Sequence, residues 1–139
     1  MIEITAVLDE AGLLRSCTVT GHAAMKSVCG AVSVLMRTAL RVLFKREGIE
    51  TTGGASEPGV FWINIEAYTG EGRDFLCAAG TFLTEGLRSV SQDHPDCCIM
   101  NIYRAEEIVW LESEAAAAPK TDGIPTPNIL ALKPQADHG

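Results

Sequence analysis

The hydrophobic period of this chain switches between two and about 3.6 along its length, and no other feature constrains the fold as strongly. Ile2 to Leu8 alternates apolar and mixed residues, Asp9-Glu10-Ala11-Gly12 supplies turn chemistry, and Leu13 to Thr20 resumes a β-branched run. Two strands joined this way form a hairpin. From Val28 the period becomes helical: Val32, Leu35, Met36, Ala39, Leu40, Leu43 and Phe44 recur on one face, while Arg37, Arg41, Lys45 and Arg46 fall largely on the other. Gly48 is the stop signal. Gly53 to Gly59 is a loop by composition, Ile49 to Thr52 a short strand, and Val60 to Ala67 a longer one with Phe61, Ile63 and Ile65 on one face. Thr69-Gly70-Glu71-Gly72 reads as a turn, and its lone G-x-G is too little for a phosphate loop. A second helix is expected from Asp74, striped by Phe75, Ala79, Phe82, Leu83, Leu87 and Val90, and Asp93-His94-Pro95-Asp96 breaks it before a strand from Cys97 to Tyr103. This order predicts an α+β fold, a two-layer sandwich of a mostly antiparallel sheet with two helices on one face.

The expected domain spans residues 1–112, with Ile108 to Leu111 as a last strand or short helix. Residues 113–139 form an Ala/Pro-rich tail with few core-forming groups, expected to be mobile or to dock as an arm. The exception is Ile129-Leu130-Ala131-Leu132, which reads as a segment able to pack on this subunit or another.

With 139 residues, 47% of them apolar and 21% charged, the chain can bury roughly two-thirds of its unfolded surface in one core. A net charge of −7 argues against non-specific nucleic-acid binding. No run approaches the roughly 18 apolar residues of a membrane span, and Met1-Ile2-Glu3-Ile4-Thr5 has no signal-peptide pattern. Five cysteines without a secretory signal read as reduced thiols, which predicts a cytoplasmic protein. Cys97 and Cys98, taken as neighbours in a strand, would face opposite sides of the sheet. With no second ligand pair, His94 beside them makes no zinc site. No metal and no cofactor is expected.

The chemistry is concentrated between Gly21 and Ser33. One strand delivers His22 to its end, and Cys29 opens the helix that follows. Unpaired N–H groups and the positive end of the dipole at a helix start favour a thiolate. A histidine within reach can take the thiol proton and return it to a leaving group, and the same N–H groups can serve as an oxyanion hole. Ser33, four residues on, lies on the same helix face and is placed to support the pair. The bland alternatives are a small buried cysteine and an ordinary strand-end histidine. His94 belongs to a helix-ending turn, and His138 is the penultimate residue of the tail.

The segments Gly21-His22-Ala23 and Val28-Cys29-Gly30-Ala31-Val32-Ser33 resemble the signature of Prp, the bacterial ribosomal-processing cysteine protease, whose pattern is G-H-A…V-C-A-A-V-S. Phe82-Leu83-Thr84-Glu85-Gly86-Leu87 through His94-Pro95 is similar to the family's second helix and its closing turn. The resemblance covers Met1 to Tyr103. It implies a homodimeric cysteine endopeptidase acting on the N-terminal extension of a large-subunit ribosomal protein (bacterial protein twenty-seven of that subunit), with His22 as general base and Cys29 as nucleophile. An acidic protease surface suits a basic ribosomal substrate. The chain departs from the family between those two residues. Only six residues separate them, the family's glycines are gone, and Lys26 stands where the family carries Asp, so no acid is assigned to orient His22. Lys26 itself reads as a solvated loop lysine. The competing reading is a dimeric ribosome-associated binding protein of the same fold without catalysis. A redox-sensing thiol is the third, weakened by the lack of a resolving cysteine nearby.

Overall fold

The structure, a computed structural model, describes residues 1–104 and 133–134. The chain order is β1 (Ile2–Leu8), β2 (Leu14–Thr20), α1 (Lys26–Lys45), β3 (Ile49–Glu57), β4 (Val60–Tyr68), α2 (Gly70–Asp93), β5 (Cys98–Arg104) and β6 (Lys133–Pro134). The strands lie in the order β3-β4-β2-β1-β5-β6. Pairing is antiparallel except between β1 and β5, which run parallel because α2 carries the chain back across the sheet. The sheet is therefore mixed, and the two-layer α+β architecture is the one expected.

The alternation in β1 sends Ile2, Ile4 and Ala6 into the core, where they meet Cys17 and Val19 of β2 and Ile63 and Ile65 of β4. The helices close over this face. The buried stripe of α1 is Val28, Val32, Met36, Ala39 and Leu43, and that of α2 includes Leu76, Leu83 and Leu87. Ile4, Ile63 and Leu76 are fully buried, and each such side chain contributes about 1.5–3 kcal/mol of transfer free energy. By length and composition α1 would also suffice to cross a bilayer, although Arg37 and Arg41 interrupt its apolar residues and it holds no unbroken apolar run of about 18. Here it packs as a core helix, with Arg37 and Arg41 on its exposed side.

Several boundaries differ from the sequence expectation. Gly53-Gly54 belongs to β3, not to a loop, because Gly53 is pressed against Leu40 of α1 and the Trp62 carbonyl, where a Cβ would come within 2.7 Å of each. The turn expected at residues 69–72 is the start of α2, with Thr69 as its N-cap. Cys97 closes the turn after α2: its N–H and that of Cys98 both donate to the His94 carbonyl, at 3.0 Å each. It therefore precedes β5 instead of pairing with Cys98 inside it. The boundary at 112, the segments Ile108 to Leu111 and Ile129 to Leu132, and His138 lie outside the described residues. Lys133–Pro134 pairs with Arg104 and Tyr103 of β5.

Burial sets the chemistry of two thiols in the sheet. Desolvation pushes Cys17 from its ordinary 9.0 up to about 12; burial, and then the neighbouring Cys97, push Cys98 up as well. A raised thiol pKa means the native state holds its proton longer than the unfolded chain. The stabilisation is complete below pH 9.0 and disappears as pH rises toward about 12. Denaturant midpoints should accordingly show the gap between the native sequence and Cys17→Ala narrowing from pH 8 to pH 11; a constant gap would contradict this.

Candidate active site

One end of the sheet gathers the chemistry. Thr20, the last residue of β2, pairs with Glu3 of β1 on one side and with Val60 of β4 on the other. The chain then leaves β2 through Gly21, whose N–H donates to the Gly59 carbonyl at 2.8 Å. His22 follows. Its backbone carbonyl accepts the Met1 ammonium at 2.6 Å, and its ring lies against Gly59. A Cβ at Gly59 would stand 2.6 Å from Nε2 and 3.2 Å from each of the two ring carbons beside it. Gly59 has φ +82°, a conformation a glycine supplies without steric cost. The β3–β4 turn thus seats the imidazole.

Cys29 is half-buried in the first turns of α1. It is the fourth helical residue rather than the first, so its own N–H is spent within the helix, reaching the Met25 carbonyl at 3.4 Å; that of Val28 reaches the same carbonyl at 3.1 Å. The expected oxyanion role cannot rest on Cys29's amide as it stands. Among the described residues, the N–H groups of Lys26 and Ser27 have no backbone acceptor. The sulfur is held by Ala23: the Ala23 N–H donates to Sγ at 3.2 Å, and the S–H donates to the Ala23 carbonyl at 3.5 Å. An N–H donor strengthens when its acceptor becomes charged, so this contact gains when the sulfur is anionic.

His22, Cys29 and Ser33 line one open cleft of about 590 Å³. Ile2, Val19, Val32 and Phe61 give it an apolar lining, and Ser56 and Glu57 at the end of β3, with Pro58 and Gly59 of the turn that follows, form the wall opposite α1. Cys29, Ser33 and Arg37 follow one another at four-residue spacing along α1, so a single helix ridge supplies the facing wall. Lys26 is exposed at the start of α1 and is not among the residues lining the cleft. Sequence spacing had no means of finding the turn wall, because β4 reaches this end only by pairing with β2 across the intervening helix. Arg37 had a signal, its i, i+8 relation to Cys29, that a reading as solvated helix surface overlooks. A thiol and an imidazole on the rim of a peptide-sized, partly apolar cleft suit acyl transfer through sulfur.

Solved structures with this architecture include a ribosomal processing protease. SMU.848 from Streptococcus mutans superposes with a TM-score of 0.64 at 21% identity, covering 75% of this chain and 95% of its own. The essential ribosomal processing protease Prp from S. aureus, in complex with a covalently linked product peptide, gives 0.62 at 14% identity, covering 73% of this chain and 99% of its own. The same protease with a substrate peptide gives 0.62 at 13% identity over the same shares. The chain has the Prp fold. No family model matches the chain, and no curated protein matches it. In the Prp fold of this chain, the cleft lies where the ends of β1, β2 and β4 meet the start of α1.

Proposed function

We propose that this protein is a cytoplasmic cysteine endopeptidase, acting as a homodimer, that removes the N-terminal extension of a large-subunit ribosomal protein (bacterial protein twenty-seven). The observation that carries the reading is the lining of one cleft by His22 and Cys29, in a fold shared with a ribosomal processing protease solved with substrate and product peptides. Cys29 Sγ attacks the scissile carbonyl as its proton passes to His22. His22 then protonates the departing amine, leaving the N-terminal part of the substrate as a thioester on Cys29. Water, deprotonated by His22, hydrolyses that thioester and restores the thiol. Ser33, one turn along α1, supports the polar wall beside the sulfur, and the apolar lining accommodates side chains flanking the bond.

One observation favours the alternative, a binding protein of the same fold: the Cys29 S–H donates to the Ala23 carbonyl, a contact that must break before the proton can pass to His22. Incubating the protein with a peptide spanning the extension junction of the same organism's ribosomal protein separates the two readings. The peptidase reading expects two fragments with one new N-terminus at the junction. Tight binding with no fragments supports the binding protein instead.

A further inference from the structure

Arg37 is the cation of the cleft wall. It lines the same cavity as His22 and Cys29, it is exposed to solvent, and it has no ion-pair or hydrogen-bond partner among the described residues. Glu57, the last residue of β3, lines the same cleft, and its side chain is likewise without a partner among the described residues. The basic side chains of α1, Lys26, Arg37, Arg41 and Lys45, occur on a helix with no acidic residue to neutralise them. In a chain of net charge −7, Arg37 is the one of these four that lines the cleft, where it shares the lining with a single carboxylate, Glu57.

From these observations the geometry points to Arg37 as a specificity-determining residue that binds a carboxylate of the peptide substrate. The inference rests on the peptidase reading of the cleft. Eight residues of helix carry Arg37 about 12 Å from Cys29 along the axis, and an extended peptide covers that distance in about three to four residues. The recognised group is therefore an Asp or Glu side chain three to four residues from the scissile bond. A guanidinium suits this role because it stays charged and presents a fork that grips both carboxylate oxygens. Glu57 on the opposite wall disfavours an acidic residue elsewhere in the cleft, which sharpens the register.

The test scans a glutamate through a cleavable peptide, from four residues before the scissile bond to four after it, with glutamine peptides as neutral partners. Wild-type protein should favour glutamate over glutamine about fivefold in kcat/KM at one position three or four residues from the bond, the size expected of a partly solvated ion pair. The effect should fall mainly on KM and weaken with added salt. Arg37→Gln should erase the preference, bringing the glutamate and glutamine peptides to equal kcat/KM, and Arg37→Glu should transfer it to a lysine at that position. A preference that survives in Arg37→Gln, or its absence at every position, overturns the proposal. Binding of the same peptides to Cys29→Ala, followed by fluorescence anisotropy, keeps the two readings apart. Arg37-dependent binding of the glutamate peptide with no cleavage by wild type would sustain the carboxylate site and defeat the peptidase. Cleavage indifferent to charge would do the reverse.

Discussion

Cys29→Ala is expected to lose peptide cleavage by a factor on the order of 10⁴ or more while keeping its fold. The sulfur is the only atom in the cleft proposed to form a bond to substrate, so no neighbour substitutes for it. The structural cost is small, because the side chain is half-buried and its hydrogen bonds run to Ala23 alone; loss of two weak neutral hydrogen bonds and little packing costs about 1–2 kcal/mol. His22→Ala should lower turnover by roughly 10²–10⁴ through loss of the base, with little change in stability since the ring is exposed. Cleavage rates and thermal midpoints measured on the same preparations check both claims. Undiminished cleavage by Cys29→Ala would mean that the nucleophile lies elsewhere.

Gly59→Ala should cut kcat by about 100-fold, because displacing a catalytic group by about 1 Å costs that much. Two effects combine at this position. The new Cβ would stand 2.6 Å from His22 Nε2, so the ring must leave its seat. The backbone at φ +82° also disfavours any side chain, by about 1–2 kcal/mol. Gly12 separates the two. It has φ +87°, and a methyl group there would meet nothing within 4 Å, so Gly12→Ala carries the backbone strain without touching the cleft. Gly12→Ala should lose stability comparably and keep full activity. Equal activity losses in the two variants would show that His22 seating is not the cause.

The parts of this fold that were legible in the sequence are those fixed by local periodicity. The stripe from Val28 to Leu43 declares α1, and the alternation of Ile2, Ile4 and Ala6 with the turn at Asp9 declares the first hairpin. His22 and Cys29 were legible as candidates because one ends a strand and the other begins a helix, so a short connection must bring them near one another. What escaped is decided by contacts distant in sequence. Gly53 and Gly54 look like loop residues, yet both lie inside β3, where the close approach of Leu40 and Trp62 leaves no room for a side chain at Gly53. The parallel insertion of β5 beside β1 depends on where α2 packs, which its own sequence does not state. The turn that seats His22 is delivered by β2–β4 pairing, and Arg37 looks like ordinary helix surface until that wall stands opposite it.

If Cys29 is the nucleophile in a cleft shared with His22, turnover must pass through a covalent acyl bond between Cys29 and substrate. Acid-quenched mass spectrometry during turnover of the junction peptide tests this most directly. The expected result is a transient species heavier by the N-terminal product acyl group, mapped to the fragment containing Cys29, absent in Cys29→Ala and slow to form in His22→Ala. Cleavage proceeding at full rate with that adduct on another residue, or in Cys29→Ala, would contradict the account.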